Sequence, residues 1–407
     1  MKNYIRHYKP FSFGRFTTHV VFLELLLCLF LAGCKKDPIE PHPNVKARKT
    51  VIIYIGADNN LASYSKEDIR EMKAAQSDVP KDCNLVIYCD DNKEPYILKL
   101  EDGETFEEER MSERNSSDPE EFYNTLKMLI TRYPADSYGL ILWSHASGWT
   151  PSPKRAFGID EHTSSSNYGA QMEISDMQLQ LERLGEHWDY IFFDACFMQC
   201  IEVAYELRHV TDYIIASPAE IPGEGAPYDK IMKALFLDGE AAPREIANQY
   251  YNDQNTKYES YPYGYGLVLS VIKASELENL LKETKRLIPD FYEEAPLLPT
   301  DKIQAYNQYT TSKNERPEFL DMGSAMSKLL TEAGYNAWQE QMQRTVISRL
   351  NTPSWYTSLV WGGGTLPITD PEHNALVSIF IPNRKYDVYT DYNSSIKKTQ
   401  WYKDFVK

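Results

Sequence analysis

The sequence predicts an α/β fold in which a mostly parallel sheet is sandwiched by helices. Three observations carry that expectation. Apolar runs of strand length recur as "VIIYIGA", "NLVIYCD", "GLILW" and "DYIIASP". They are apolar at successive rather than alternate positions, as in strands covered on both faces. Segments with helix-capping signals lie between them, and strands alternating with helices argue for parallel pairing through crossovers.

In order, Val51 to Ala57 reads as a buried strand that ends in the polar turn "DNNL", with a helix over Ser65 to Ala75. Strands follow at Asn84 to Asp90 and, with edge character, at Tyr96 to Leu100. Asp118, Pro119 and Glu121 supply an N-cap, a first-turn proline and a third-position acid for a helix through Ile130. Gly139 to Trp143 is the next strand, and Ser144-His145 sits where it stops. Residues 150 to 174 read as a long polar loop, after which Ser175 and Gln178 form a capping box for "DMQLQLERL". A strand over Asp189 to Asp194 leads into a helix from about Met198 to Arg208. Further strands fall at Asp212 to Pro218 and Tyr265 to Ile272. The C-terminal part, with helices over about Asp321 to Leu350 and a last strand "ALVSIFIP", fits either a subdomain or the far edge of the sheet.

The N-terminus has a different logic. Lys2, Arg6, Lys9 and Arg15 precede the apolar run "HVVFLELLLCLF" and the small-residue site "LAGC", which together form an export signal over residues 1–33. Residues 34–49, rich in proline and charge, read as a flexible tether, so the folded body is expected from about Thr50. Loss of residues 1–33 removes four basic side chains and Glu24, taking the formal charge from −16 to −19. Such an acidic surface argues against nucleic acid as a partner. Four cysteines then remain besides Cys34: Cys83, Cys89, Cys196 and Cys200. None has zinc-site spacing, so no metal ligand set is assigned from them. Cys83 and Cys89 bound one extended segment too long for a bridge between them, although a disulfide elsewhere is compatible with an oxidising compartment.

In an open parallel sheet, the crevice beyond the carboxyl ends of the strands is the usual place for a site. His145 ends one expected strand and Cys196 another, so neighbouring strands would bring imidazole and thiol into one cleft. A thiol becomes an effective nucleophile as thiolate, which an imidazole or a helix N-terminus favours. Cys196 is expected to have such a helix immediately after it. Small residues flank both positions, leaving the Ala146 and Cys196 backbone N–H groups as candidate oxyanion donors. The competing readings are a small buried hydrophobe at Cys196 and a turn residue at His145. Cys200, one helical turn on, reads as core.

At these residues the chain resembles the clostripain-like peptidases, relatives of caspases, gingipains and legumain. "LWSHASGW" resembles that family's histidine motif, and "FFDACFMQCIEVAYEL" its nucleophile motif. "ASPAEIPGEGAPY" and "LVSIFIP...YTDYNSS...TQWYKDFV" resemble later family segments. Ala146 stands where the family usually has glycine, and Ala226 where it usually has tryptophan, which reshapes the expected pocket. "LAGC" resembles a bacterial lipobox, implying cleavage before Cys34 and lipidation of its thiol.

The resemblance implies a caspase-like peptidase core over residues 50–290 and a C-terminal part of the same domain, or a subdomain, over 291–407. It implies an exported cysteine endopeptidase acting on peptide or protein substrates, anchored through Cys34 in the bacterial cell envelope, on the periplasmic side or at the cell surface. Cys196 would attack the peptide carbonyl and His145 would protonate the leaving amine. Cleavage after Arg or Lys requires an acidic pocket. Asp194 is the candidate base of that pocket, with helix capping as its other reading, and Glu220 and Glu224 are candidate walls. Self-cleavage at Lys154 or Arg155 is the expected route from zymogen to enzyme. No cofactor is required; calcium is reported for parts of this family, and Asp58 in "GADNNL" offers oxygen ligands, with turn chemistry the favoured reading. The alternatives are a weak or inactive surface lipoprotein that binds peptide or glycan in the same cleft, and an acyltransferase using the same pair of residues.

Overall fold

Continuous apolar runs become the centre of a nine-stranded sheet. Its strands are β1 (Ala47–Gly56), β2 (Cys83–Asp90), β3 (Tyr96–Glu101), β4 (Glu104–Arg110), β5 (Ala135–Trp143), β6 (Trp188–Asp194), β7 (Tyr213–Ala216), β8 (Val268–Lys273) and β9 (Val346–Asn351). The order is β9-β8-β7-β6-β5-β1-β2-β3-β4. Pairings among β2, β1, β5, β6 and β7 are parallel, and antiparallel pairs close both edges. The computed structural model describes residues 46–101, 104–150, 157–161, 170–299, 302–307, 318–358, 360, 363–383 and 391–407. The signal segment, Cys34, Lys154 and Arg155 lie outside these residues.

Alternation along each strand sends side chains into two cores. Ile52, Tyr54, Leu140, Leu142, Ile191 and Phe193 face one. Val51, Ile53, Ile55, Ile141, Trp143, Tyr190 and Phe192 face the other. Helices Pro119–Arg132, Ile174–Leu184 and Leu277–Leu287 bury their apolar stripes on the first face, and Ala62–Ala74 and Ala241–Ser260 on the second. Each large apolar side chain so buried contributes about 1.5–3 kcal/mol. Asp118 caps its helix as expected, accepting from the Glu120 and Glu121 amides. Among the described residues, no helix is long and apolar enough to cross a membrane.

Several local expectations change. β1 starts at Ala47, inside the stretch read as tether, because its basic residues are anchored: Lys49 is fully buried with its ammonium 2.8 Å from Asp189. Helix Ile174–Leu184 begins with Glu173 at its N-cap and no side-chain cap, so the Ser175 capping box does not form. The stretch read as a loop over 150–174 contains an antiparallel ribbon of Phe157–Asp160 with Ala170–Met172. The predicted helix through Leu350 ends at Thr345, where the β-branched Val346 and Ile347 enter edge strand β9. Of "ALVSIFIP", only Ser378–Ile379 is strand, paired with Leu320–Asp321 outside the main sheet. The Asp321 carboxylate and Glu202 take the Ala375, Leu376 and Phe380 amides, which replaces ladder bonds in this buried segment.

The helix expected from Met198 starts only at Ile201. The chain before it is held off the helix instead: Phe197 N–H donates to the Ala219 carbonyl and Gln199 N–H to the Ser217 carbonyl, both at 2.9 Å. Gln199 also receives the Ser378 amide.

The β5–β6 register depends on one missing side chain. Gly139 opposes Tyr190, and a Cβ on Gly139 would lie 2.5 Å from the Tyr190 ring, whose hydroxyl is fixed on the Leu235 carbonyl. Gly139→Ala is expected to destabilise the protein by about 1–3 kcal/mol through overpacking, read as a lowered midpoint in chemical denaturation with unchanged slope.

Candidate active site

The site forms at the carboxyl ends of β1, β5 and β6, which are adjacent in the sheet. Trp143 of β5 pairs directly with Asp194 of β6. His145 lies two residues past the first and Cys196 two residues past the second, so the two occupy corresponding positions beyond neighbouring strand ends. Both are partly accessible. The turn after β1 adds Asn60, whose Oδ1 is 2.6 Å from His145 Nε2. With the amide oxygen facing it, Nε2 donates, and Nδ1 is the basic nitrogen of the neutral ring.

Cys196 is clasped by the segment after β7. Ile221 N–H donates to its sulfur at 3.5 Å, while the next residue, Phe197, is tied to Ala219. Phe197 adopts φ +62°, a left-handed conformation costing about 1–2 kcal/mol for a side chain of its size. Its ring stacks on Phe319 with centroids 4.7 Å apart. Gly148, at φ +63°, is needed here, since a Cβ would come within 2.8 Å of the Phe197 carbonyl and 2.7 Å of the Phe319 ring. This packing fixes the direction in which the chain leaves Cys196.

Burial lowers the His145 pKa from its ordinary 6.5, against an upward pull from Glu220. Burial, then the Glu220 charge, pushes the Cys196 thiol up to about 12. The pair therefore stands as neutral thiol and neutral imidazole. The expected helix N-terminus is not there to favour thiolate: helix Ile201–Glu206 begins five residues later and is only six residues long. The antiparallel bridge between Ala146 and Phe157 is closed by Gly158 N–H donating to the His145 carbonyl at 3.0 Å, not by the Ala146 amide.

Asp194 is buried, and its Oδ2 accepts from Ala226 N–H and from the Tyr228 hydroxyl, both at 3.0 Å. Its Oδ1 has no hydrogen-bond partner. It therefore does not cap the following helix. Burial pushes its carboxyl up to about 6, and burial together with Asp194 pushes neighbouring Asp68 up to about 9. Asp68 accepts from Trp143 Nε1 at 2.7 Å.

The two glutamates separate. Glu220 accepts from Ser358 N–H and Oγ at 2.7 and 2.8 Å and from Thr357, so it joins the clasp to the hairpin Ser354–Thr357 and Gly364–Pro367. Glu224 is exposed and paired with Lys257 at 2.9 Å. Cys200 is fully buried in the core, and Cys83, Cys89, Cys196 and Cys200 are all free thiols. Asp58 is brought together with Glu113 and Asp160, one carboxylate oxygen of each lying within 4.8 Å of the others. Sequence reasoning missed Asn60 and Asp68. The signal for Asn60 was the polar turn after β1, but its meaning depends on β1 being the neighbour of β5.

The sequence pattern of the clostripain family matches residues 53–407. Clostripain from Hathewaya histolytica is 25% identical, over 88% of this chain and 79% of its own length. An inactive zymogen C11 protease from Parabacteroides distasonis matches with TM-score 0.74 and 32% identity, over 90% of this chain and 100% of that one. A secreted C11 cysteine protease from Bacteroides thetaiotaomicron, solved with an irreversible peptide inhibitor, matches with TM-score 0.72 and 28% identity, over 86% of this chain and 99% of that one. With its caspase-like sheet and a thiol and imidazole at adjoining strand ends, the chain belongs to the clostripain family and is a cysteine endopeptidase.

Proposed function

We propose that this protein cleaves peptide bonds after Arg or Lys, with Cys196 as nucleophile and His145 as general base and acid. The Trp143–Asp194 pairing is the observation that carries the reading, because it gives both residues the same offset from one ladder position. The neutral pair suits proton transfer during attack. The Cys196 sulfur bonds to the substrate carbonyl carbon as its proton passes to His145, and the imidazolium returns it to the leaving amine. Water then hydrolyses the thioester and releases the thiol. The Cys196 and Ala146 amides are the oxyanion donors, and Asn60 is a positioning residue that holds the ring through Nε2.

Asp194 is the selector of the basic side chain. Its buried carboxylate keeps Oδ1 without a partner, and a guanidinium or ammonium would supply one. Glu220 supports the pocket wall through its bonds to Ser358, whereas Glu224 is neutralised by Lys257 and contributes less. Self-cleavage after Lys154 or Arg155 would cut just before Phe157, the residue that bridges to Ala146. The high thiol pKa of the intact chain and the zymogen relative support activation by such a cut. The basic and apolar N-terminus and the secreted relative support export, with Cys34 as lipid anchor.

Fluorogenic peptides with Arg, Lys, Asp, Asn or Leu at P1 should be cleaved only after Arg and Lys, and Cys196→Ala should abolish turnover; cleavage that survives this substitution would refute the nucleophile assignment. Asp194→Asn should cut kcat/KM on Arg and Lys substrates by about 100-fold or more.

The pH dependence has a definite sign. Asp194 attracts a cation only when ionised, so kcat/KM for Arg substrates should fall as pH drops through about 6. Burial lowers the His145 pKa, which keeps its imidazole neutral to a lower pH than an ordinary histidine. The limb near 6 should vanish in Asp194→Asn; Asn60→Ala should lower kcat more than it raises KM.

A further inference from the structure

The chain carries a formal charge of −16, yet one cavity on it is basic. Its volume is about 170 Å³. Helix Ala62–Ala74 contributes Lys66 and Lys73 to the lining, the turn after β2 contributes Asp91 and Lys93, and the paired ends of β3 and β4 contribute Tyr96 and Arg110. Four cations and one carboxylate leave this lining with a net positive charge of three. The carboxylate is already engaged, since buried Asp91 has its Oδ2 3.6 Å from Lys66 Nζ. Among the described residues, Lys73 and Lys93 have no ion-pair partner.

We propose that this cavity binds one phosphate or sulfate group. The size sets an upper limit, because sites for drug-sized ligands occupy about 300–1,000 Å³ and this one is smaller. The charge excess favours a dianion over a singly charged carboxylate. The donors suit a tetrahedral ion: ammonium groups act as point charges that can approach separate oxygens, and a guanidinium offers a planar fork. Lys66 and Lys73 lie seven residues apart on one helix, about 10 Å along its axis, so they bracket the cavity and their long stems can converge on it. Lys73 is in the last turn, where the helix dipole favours a cation. Arg110 stands opposite Tyr96 in the ladder, its guanidinium 5.5 Å from the centre of that ring. Leu98, at the back of the cavity, is buried in the same core as Ile69 and Met72 of the helix, so the lysine-bearing helix and the strand are anchored to each other.

Four cations around one cavity repel one another, and a bound dianion would offset that repulsion. The acidity of the rest of the chain opposes anions elsewhere, so binding stays local and weakens as ionic strength rises. Lys66, Lys73, Lys93 and Arg110 are exposed, so the group can arrive as a free ion or as a monoester on a larger molecule. The cavity opens at the same end of the sheet as the cleft, since Tyr96 pairs with Cys89 near the end of β2. It lies on the far side of β1 from β5 and β6 and shares no residue with the His145, Cys196 and Asp194 site. The binding claim is therefore independent of the peptidase mechanism.

The test uses the mature chain carrying Cys196→Ala, dialysed into chloride and titrated at constant ionic strength with sodium phosphate, sodium sulfate or sodium acetate, by calorimetry and by thermal melting. One phosphate or sulfate per chain and a rise in Tm are expected, with acetate binding about 10-fold more weakly or less. Lys73→Gln combined with Lys93→Gln, both at exposed positions, should weaken phosphate binding by about 10-fold or more while Tm in chloride alone is unchanged. Arg110→Gln, an independent variant, should act in the same direction, and Lys282→Gln on helix Leu277–Leu287 should leave binding as it is. Glycerol phosphate separates the two sources: binding tighter than inorganic phosphate identifies a monoester as the ligand, and weaker binding identifies the free ion. No heat and no Tm shift at millimolar phosphate or sulfate, equal binding of acetate, or phosphate binding unchanged in the lysine and arginine variants would overturn the proposal.

Discussion

The parallel pairing of β5 with β6 is the constraint on which the site depends. A one-residue slip would reverse the faces of every side chain on one strand and move His145 off the level of Cys196. The register is held by burial on both faces and by the close approach of Gly139 to the Tyr190 ring. Neither residue belongs to the site. Their effect reaches it because the strands are stiff and His145 and Cys196 lie just past their last ladder pair.

Beyond the strand ends, precision comes from interactions that oppose local preference. Phe197 accepts a left-handed backbone, and Met198 and Gln199 forgo the helix suggested by their sequence. The compensation is stacking on Phe319, two backbone bonds to the segment after β7, and a third to Ser378. This local strain at Phe197, next to the proposed nucleophile, sets the exit angle of the chain and keeps Cys196 on the rim rather than inside a helix.

The distribution of acid is equally specific. Three sets of carboxylates surround the strand ends: Asp194 with Asp68 beneath the thiol, Glu220 in the clasp, and Asp90 with Asp58, Glu113 and Asp160 at the ends of β1 and β2. Burial raises the pKa values of Asp68, Asp90 and Asp194, so a cation beside any of these three would favour its ionised form. Burial, then the charges of Glu220 and Asp194, disfavours a thiolate at Cys196, which accounts for its neutral state in the intact chain.

The fold class and the positions of His145, Cys196 and Asp194 were legible in the sequence. Strands buried on both faces are apolar without interruption, and a polar group directly after such a strand marks the end of the sheet. Asp118 likewise announced its helix, because capping is a local interaction. Other features were decided only by packing between distant segments. The Ser175 box failed although its pattern was present, and "ALVSIFIP" was buried without becoming a main-sheet strand, because Asp321 and Glu202 took its amides. Asn60 acquires its contact with His145 only once β1 lies beside β5, and Asp58 meets Glu113 and Asp160 only when three remote segments converge. Sequence thus determined the periodic and nearest-neighbour features, whose energies are local; strand order, register and the burial of charge arose from contacts across tens to hundreds of residues, which no local pattern encodes.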